Sequence, residues 1–271
     1  MTLTSRPDPR EFRKRMLARE PLLGTFMKFP CPQATEILGQ AGFDFVMLDE
    51  EHSPWTREQL GMSYLAARAF QTAAFVRVSR PDAASLLSAL DDGAIGVMVP
   101  HVSSAEKARE VASWARYKGG TRGSGVSRGG DYGGMVGADG IDAYYEWADS
   151  VTTVIAMIED AEAIERIDEI TSVDGIDAFF IGRGDLGLSL SNMAGPKPTV
   201  AEATKIIAQS VIRNGKILAA VCPTLESDDA RAMRDLGVTV MMVGSDQFFM
   251  RASATAQLRH FNKLMKDTGT D

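Results

Sequence analysis

The sequence predicts one α/β domain, folded as a (β/α)8 barrel of the TIM type. Its 271 residues are close to the length of about 250 that such barrels commonly use. Short apolar runs recur along the whole chain with helical patterns between them, and no linker or change of composition divides it. Strands and helices that alternate in this way build parallel sheets. An open, doubly wound sheet accommodates most of the same elements and is the alternative.

Eight apolar runs are the predicted strands. Each run is nearly continuous in apolar residues, which is typical of a strand covered on both faces rather than on one. The runs are Leu22–Phe29, Phe43–Leu48, Ala74–Val78, Ile95–Val99, Val151–Ile158, Ala178–Ile181, Ile217–Val221 and Val238–Val243.

Helical patterns separate most of these strands. Thr56 with Gln59, and Ser103 with Glu106, fit the capping box, in which two side chains satisfy free backbone N–H groups. Glycines at positions 93, 175, 215 and 237 are expected to end helices, because glycine adopts a left-handed cap at little cost. The predicted helices are Thr56–Gln71, Asp82–Leu90, Ser103–Tyr117, Ala161–Ile170, Val200–Asn214, Leu225–Leu236 and Ser245–Lys266.

Three segments lie outside the regular alternation. Residues 1–21 are predicted as an N-terminal helical segment, and residues 245–266 as a long C-terminal helix. Residues 118–140 contain ten glycines and few apolar residues. A loop of this length is usually functional or mobile. A short extra helix is expected after it, over Ile141–Ala148.

Composition excludes several classes of protein. There are 29 Lys and Arg against 36 Asp and Glu, a net charge of −7, which argues against wide contact with nucleic acid or an anionic membrane. Cys31 and Cys222 are the only cysteines, and two reduced thiols fit a cytoplasmic protein. No apolar run approaches the length of about 18 residues that crosses a bilayer. We therefore expect a soluble, cytoplasmic protein.

Two carboxylates follow neighbouring strands. Glu159 comes directly after the fifth apolar run, and Asp185 comes shortly after the sixth. Oxygen ligands without clustered Cys or His favour Mg²⁺ or Mn²⁺, and Co²⁺ is a further candidate. The alternative is that both are charges at the N-termini of the helices that follow, stabilised by the helix dipoles. The residues alone leave the two interpretations equal.

His52 and Arg77 are the other candidates at the strand ends. His52 follows the second strand among carboxylates, and Asp49 or Asp91 could orient it as a general base; a loop histidine with no chemical role is the alternative. An arginine within a buried strand needs an anion. Arg77 therefore implies a structural partner or a substrate oxyanion, and we favour the substrate. Lys28 is the only plausible lysine for a Schiff base, which makes covalent catalysis the weaker route.

Six segments together resemble the HpcH/HpaI family of metal-dependent pyruvate aldolases. They keep the family's order and spacing from about residue 22 to residue 250, and their combination is specific although each alone is weak. The segments are Ala41–Pro54, Val76–Val78, Leu90–Pro100, Thr121–Gly123, Ile158–Ala163 and Phe180–Leu186.

This resemblance implies a (β/α)8 barrel that forms a hexamer, built as a trimer of dimers that exchange their last helix, for which residues 245–266 are the candidate. It also implies cleavage of a 4-hydroxy-2-oxo acid to pyruvate, or a close 2-oxo acid, and an aldehyde. A 4-hydroxy-2-oxoheptanedioate aldolase is one activity of this kind.

The resemblance also implies roles for individual residues. Those with chemical roles are Glu159 and Asp185 as metal ligands, His52 as the base, Asp49 and Asp91 as its carboxylate partners, and Arg77 as the group facing the 2-oxo oxygen. Those that contact substrate are the Gly184 backbone N–H, which holds the substrate carboxylate, and Arg122, which can reach a neighbouring subunit's mouth.

Two positions depart from the family pattern. Met157 stands where the family commonly has Gln, and Arg183 stands where it often has Pro. Loss of a polar group beside a ligand alters metal affinity, and Arg183 adds a cation that would either favour an acidic substrate or pair with Asp185.

Two other functions remain as alternatives. One is a condensing or lyase member of the same superfamily, such as a citrate synthase or an acyl-CoA lyase. The other is a non-catalytic barrel that binds a 2-oxo acid.

Overall fold

Eight parallel strands pair in chain order and close into a barrel, because the first strand also pairs with the last. The computed structural model describes residues 6–266. This closure confirms the predicted single-domain (β/α)8 barrel and excludes the open, doubly wound sheet. The strands are β1 Leu22–Met27, β2 Phe45–Asp49, β3 Ala73–Arg77, β4 Gly96–Val99, β5 Thr153–Ile158, β6 Ala178–Ile181, β7 Ile217–Cys222 and β8 Val240–Ser245.

Helices surround the barrel and cover one of its ends. They are α1 Phe12–Leu17, α2 Pro32–Ala41, α3 Arg57–Ala69, α4 Ala83–Asp92, α5 Ala105–Trp114, α6 Gly140–Val151, α7 Ile167–Thr171, α8 Arg183–Asn192, α9 Val200–Arg213, α10 Asp228–Asp235 and α11 Asp246–Lys266. Short 3-10 helices span Pro9–Glu11, Arg128–Gly133 and Ala161–Arg166.

The barrel has two apolar cores. One lies between strands and helices, and the other fills the barrel interior. Phe12 of α1 packs edge-on against Phe45 and Phe75, with ring centroids 5.3 and 4.7 Å away. The segment that precedes β1 therefore closes the amino-terminal end of the barrel, which leaves the opposite end as the open mouth. The first five residues of the predicted segment 1–21 lie outside the described part of the chain.

The sequence patterns missed two helices and misplaced one cap. No helix was predicted between β1 and β2, yet Pro32 opens α2 and Gly42 ends it with a φ of 104°. α8 was also not predicted. The capping box at Thr56 is confirmed, whereas α5 is capped one residue later than predicted, because the Ser104 hydroxyl rather than that of Ser103 accepts an N–H of the first turn.

Residues 118–140 are mostly irregular apart from one short 3-10 helix. Within that helix Asp131 and Tyr132 have positive φ angles of 50° and 55°, a conformation that costs energy in residues other than glycine. α6 follows it and confirms the predicted extra helix.

The last helix, α11, leaves the barrel after its first residue. Asp246 is buried and accepts hydrogen bonds from the backbone N–H groups of Lys28 and Phe29, directly after β1. Most of the side chains that follow it in the helix are exposed. Over residues 6–266, no helix combines the length and the apolar character needed to cross a membrane.

Candidate active site

The carboxyl ends of the barrel strands bring acidic and basic side chains together. Asp49 and Arg77 are the last residues of β2 and β3, and the strand register sets them side by side. Glu159 follows Ile158, the last residue of β5. In barrels of this type the carboxyl ends of the strands carry the active site. Strand register, rather than loop conformation, therefore positions these three side chains.

A buried ion-pair network fixes Arg77. Its Nη2 lies 2.7 Å from Asp49 Oδ1 and its Nη1 lies 3.1 Å from Glu51 Oε2, while Lys28 Nζ lies 3.0 Å from Asp49 Oδ2. Burial by itself would raise the pKa of Asp49, but the Arg77 and Lys28 cations outweigh it and hold that pKa below its ordinary value. An ionised Asp49 thus orients the guanidinium, whose five N–H groups leave donors for an anion in the mouth.

Glu159 is a buried carboxylate, and only one of its two oxygens has a hydrogen-bond partner among the described residues. Its side chain is 1% exposed, and its Oε1 accepts the His101 backbone N–H at 2.9 Å. Its Oε2 has no hydrogen-bond partner among the described residues. Burial raises the pKa of Glu159 to about 7; His101 opposes this, and the charges of Glu51 and Asp185 add to it. An oxygen in this state takes up either a proton or a cation.

His101 is a residue at the mouth to which the sequence patterns gave no role. It lies two residues beyond β4 with a φ of 55°, and its Nδ1 is 3.2 Å from Asp160 Oδ1. Burial disfavours its charged form, but the Glu159 and Asp160 carboxylates outweigh burial and raise the pKa of His101. One signal was present in the sequence, since His101 is one of only three histidines and stands two residues after an apolar run.

Glu51, His101 and Glu159 form a compact set of possible metal ligands. Each offers one ligand atom, and these atoms lie within 4.8 Å of one another. Two carboxylates and an imidazole are suitable donors for a divalent ion. The mouth therefore contains a group able to hold a metal.

Gly182 leaves the space that the Glu159 side chain occupies. A Cβ at Gly182 would stand 2.5 Å from Glu159 Oε2 and 2.7 Å from Glu159 Cβ, well inside the optimal contact distance of carbon atoms. Gly182→Ala is expected to displace the carboxylate and to destabilise the protein by about 1–3 kcal/mol, as overpacking does. Thermal unfolding measures this effect.

Gly184→Ala is the matched control for that variant. A Cβ at Gly184 meets no atom within 4 Å, and alanine is the better helix former, so this variant is expected to keep or raise the unfolding midpoint. An unchanged midpoint in Gly182→Ala would contradict the packing role assigned to Gly182.

The N-terminus of α8 lies beside Glu159. No side chain in the described part of the chain caps this helix, so its first N–H groups, including that of Gly184, lack a partner in the helix and favour an anion. Asp185 is exposed in the same turn. Its charge is near enough to raise the pKa of Glu159. Asp185 does not belong to the group formed by Glu51, His101 and Glu159, so its pairing with Glu159 as a metal ligand stays a prediction.

His52 lies half-exposed at the rim of the mouth. Its ring Nε2 is 3.8 Å from Glu51 Oε2, and its backbone N–H donates to Asp49 Oδ1 at 3.3 Å. The carboxylate beside the ring is thus Glu51, which the sequence analysis had not assigned, whereas Asp49 contacts only the backbone of His52.

Asp91 and Arg122 lie together, away from the mouth. Arg122 Nη2 donates to Asp91 Oδ1 at 3.1 Å, and its guanidinium lies 4.4 Å from the centroid of the Tyr117 ring. Asp91 is in the last turn of α4, and helices of a (β/α)8 barrel run back toward the amino-terminal side. Within one chain neither residue accompanies His52, and a role at a mouth requires a second subunit.

Arg183 stands between the ends of β6 and β7. Its Nη2 donates to Asp229 Oδ2 at 2.8 Å and to the Val221 carbonyl at 2.6 Å. The partner of this cation is therefore Asp229 rather than Asp185. The other departure, Met157, is buried in the barrel core beneath Glu159, where its thioether offers no strong hydrogen bond.

Comparison with known proteins assigns the family. The model of the HpcH/HpaI aldolase/citrate lyase family matches residues 22–252. The chain belongs to the HpcH/HpaI aldolase/citrate lyase family. This confirms the resemblance seen in the sequence, and membership places the chain among carbon–carbon lyases.

Relatives within the HpcH/HpaI family cover nearly the whole chain. A hydroxypyruvate/pyruvate aldolase of Delftia acidovorans is 31% identical over 255 residues, 92% of this chain and 91% of its own length. A 5-keto-4-deoxy-D-glucarate aldolase of Klebsiella pneumoniae is 30% identical over 252 residues, 92% and 95% of the two chains. The crystal structure of citrate synthase SbnG is similar with a TM-score of 0.82 and 27% identity, covering 94% of this chain and 98% of that one.

Proposed function

We propose that this chain is a divalent-metal-dependent aldolase that cleaves 4-hydroxy-2-oxo acids to pyruvate, or a related 2-oxo acid, and an aldehyde. The observation that carries the proposal is the unpartnered Oε2 of Glu159 in a mouth where Arg77 is held by a buried ion pair. Two relatives named as aldolases, one of them for pyruvate, support it. In the reverse direction the same groups would support aldol addition.

The donor set of the mouth fits a hard divalent cation. Glu159 brings a buried oxygen that has no hydrogen-bond partner among the described residues, and burial, together with the charges of Glu51 and Asp185, raises its pKa. Carboxylate oxygens favour Mg²⁺ or Mn²⁺, and an imidazole would also suit Co²⁺.

Glu159 and Asp185 are the ligands we propose. Glu51 is already paired with Arg77 at 3.1 Å, and the His101 ring is engaged with Asp160. Asp185→Asn is therefore expected to lose Mn²⁺ binding, while His101→Gln retains it. The opposite result would move the site to the group formed by Glu51, His101 and Glu159.

The chain's own groups then orient and stabilise the substrate. A bound divalent ion supplies Lewis-acid stabilisation for the negative charge that develops on the 2-oxo oxygen. Arg77 adds a fixed cation beside that oxygen. The Gly184 N–H at the positive end of α8 holds the substrate carboxylate. Arg183 at the rim contacts the far end of the substrate while it keeps its pair with Asp229.

The two histidines of the mouth take different roles in this proposal. Cleavage begins when a base removes the proton of the 4-hydroxyl group, and His52 is exposed enough to reach it. His101 has a raised pKa because three carboxylates lie around it, so it favours the charged form. A cation of this kind stabilises negative charge and does not accept a proton readily.

A retro-aldol assay tests the proposal. Purified protein is incubated with a 4-hydroxy-2-oxo acid, and pyruvate is measured with lactate dehydrogenase, first as prepared, then after EDTA, then after Mn²⁺ is restored. We expect activity that EDTA abolishes and Mn²⁺ recovers. Full activity after EDTA would refute the metal requirement, and pyruvate binding without turnover at any metal concentration would indicate a non-catalytic barrel.

One similarity favours a second candidate function. The structural likeness to citrate synthase SbnG covers almost the whole chain, so a condensing reaction is the alternative. Condensation of oxaloacetate with an acyl donor that persists in EDTA, together with no cleavage of 4-hydroxy-2-oxo acids, would favour this alternative over the aldolase.

Metal binding is expected to depend on pH. Glu159 has a pKa of about 7. Below pH 7 its carboxyl group is therefore mostly protonated and must lose that proton before it binds a dication. Apparent Mn²⁺ affinity should weaken as the pH falls from 8 to 6, approaching about ten-fold per pH unit when one proton is displaced. Calorimetry in two buffers of different ionisation enthalpy counts the protons released. Equal affinity at both pH values, with no proton release, would contradict the assignment of Glu159.

The exposed apolar side chains of α11 support the predicted exchange of this helix between subunits. Leu258 and Phe261 are about 60% exposed, as are further apolar residues of the helix, although one chain alone offers them nothing to pack on. We propose a hexamer built from dimers. Phe261→Asp is expected to reduce the mass measured by light scattering, and Lys263→Asp is the control on the same helix. An unchanged mass in Phe261→Asp would argue against this interface.

We also propose a cytoplasmic location. Cys31 and Cys222 are both free thiols, which suits a reducing compartment.

A further inference from the structure

A second cavity lies at the opposite end of the barrel from the mouth. It has a volume of about 350 Å³, and part of its lining immediately precedes strands, namely Thr72 before β3, Ile95 before β4 and Thr152 before β5. β4, with four residues, spans about 13 Å, so the barrel wall separates this cavity from Glu159. The cavity is therefore independent of the proposed active site.

Positive charge in the cavity wall exceeds the negative charge available to pair with it. Arg68 pairs with Asp131 at 2.8 Å, and Arg122 pairs with Asp91 at 3.1 Å. Arg128 donates to the Gly61 carbonyl at 2.7 Å and to the Tyr132 hydroxyl. It makes no ion pair with any residue between 6 and 266. One guanidinium in the wall thus has hydrogen bonds but no counter-charge.

The position of Arg128 is fixed by two glycines that make room for it. A Cβ at Gly61 would stand 3.1 Å from Arg128 Nη1, and a Cβ at Gly93 would stand 3.2 Å from Arg128 Cδ. The arginine lies in the cleft between α3 and the end of α4, so its terminal N–H groups are held in place before any ligand binds. Such preorganisation reduces the entropy lost on binding.

The Nε of Arg122 is an unsatisfied donor in the same wall. The Arg122 side chain is 3% exposed, and its Nε has no partner within the described structure. A buried donor without an acceptor is unfavourable, and the positive charge of Arg122 lies in the wall of the cavity.

The remaining lining is mixed: polar groups, among them Thr72 and the Asp8–Arg10 ion pair, stand beside an apolar and aromatic part. In the apolar part Leu90 comes from α4, Ile95 precedes β4, and Tyr144, Trp147 and Ala148 come from α6. Clefts of about 300–1,000 Å³ with mainly apolar walls and a few fixed polar groups are typical of small-molecule sites. The lining therefore suits a molecule with one anionic group and an apolar body.

We propose that this cavity is a second ligand site, which binds a small organic monocarboxylate with an aromatic or branched aliphatic frame. Arg128 is the principal partner of the carboxylate, and the apolar frame packs against α6. The site does not depend on the proposed aldolase reaction, and its ligand is not a substrate of the mouth.

Benzoate and its neutral analogue benzamide test the site. Ligand-observed NMR titration of the metal-free protein is expected to show benzoate binding at least about ten-fold more tightly than benzamide, because the charge-assisted hydrogen bond is lost in the amide. Saturating oxalate, which resembles the 2-oxo acid of the mouth, should leave benzoate bound. Equal affinity for benzoate and benzamide, or displacement by oxalate, would overturn the proposal.

Three variants separate the cavity from general charge effects. Arg128→Gln should weaken benzoate binding by about ten-fold or more, whereas Arg57→Gln, an exposed arginine on α3 that pairs with Asp92 outside the cavity, should not. Ala148→Leu fills the cavity, leaves the arginines in place and should abolish binding. Wild-type affinity in a folded Arg128→Gln or Ala148→Leu protein would refute the site.

Discussion

Replacing Arg77 with alanine is expected to lower kcat for cleavage of a 4-hydroxy-2-oxo acid by about 10²–10³-fold, the loss seen when one donor of an oxyanion hole is removed. The guanidinium is 7% exposed and held by Asp49, and its centre lies 4.8 Å from the centroid of the Phe26 ring. Its position relative to the mouth is therefore fixed before substrate binds. Steady-state kinetics should show most of the loss in kcat, because the charge it stabilises develops during the reaction.

The same substitution is also expected to destabilise the protein. Asp49 is fully buried, and without Arg77 its charge would retain only Lys28. Removing one partner of a buried ion pair typically costs about 3–5 kcal/mol. Urea unfolding followed by circular dichroism measures this cost. The kinetic assays are run at low temperature, so that the variant stays folded.

A double variant distinguishes the chemical role of Arg77 from its structural role. Arg77→Met combined with Asp49→Leu removes the buried pair and leaves Glu51 and Lys28, which are 13% and 27% exposed, without these partners. Replacing a buried pair by apolar residues is often neutral or stabilising. We expect this protein to regain most of the lost stability and none of the lost activity. Recovery of both would show that Arg77 acts only by holding the fold together.

The fold could be predicted because its main determinants are local. A strand covered on both faces is apolar at every position, and eight such runs in order leave few arrangements other than a barrel. α2 was missed although Pro32 and Gly42 mark its two ends. The cap of α5 was displaced by one residue because Ser103 and Ser104 are adjacent, and only backbone conformation decides which hydroxyl accepts the bond.

The sequence predicted those residues of the candidate site that lie at or directly after the ends of strands. Asp49, Arg77 and Glu159 stand at or directly after strand ends, so counting along the strands was enough to bring them together. Glu51 and His101 stand one or more residues farther on, where the chain turns. His101 reaches the mouth through a left-handed backbone conformation. No pattern in the sequence predicts this conformation.

The roles implied for Asp91 and Arg122 could not be tested within one chain. Their ion-pair partners within one chain are each other, and neither stands at the carboxyl end of a strand. Any contribution they make to a mouth depends on how subunits pack. A single chain provides no information on that arrangement.

Glu159→Gln is expected to abolish Mn²⁺ binding and to lower kcat by about 10³-fold or more, since Lewis-acid stabilisation is worth several kcal/mol. The amide keeps the size of the carboxyl group and can still accept the His101 backbone N–H. What it removes is the charge of the buried oxygen that has no hydrogen-bond partner in residues 6–266. The fold is therefore retained while the proposed function is lost.

The stability of this variant should change in the opposite direction from its activity. The pKa of Glu159 is raised from 4.5 to about 7, so between these values the native state binds more protons than the unfolded state. Stability contributed by this residue falls as pH rises across that window, and the full penalty applies above it. A neutral glutamine avoids the penalty. The metal-free variant should therefore unfold at a higher temperature than wild type at pH 8, and at a similar temperature at pH 4.

Addition of Mn²⁺ should reverse that order. The wild-type protein gains stability from a ligand that binds only its native state, whereas Glu159→Gln gains none. Glu162→Gln, an exposed position three residues farther on, is the control and should follow wild type in every measurement. A Glu159→Gln protein that is less stable than wild type at pH 8 without metal, or that still gains stability from Mn²⁺, would show that this carboxylate is a structural group and that the cation site lies elsewhere.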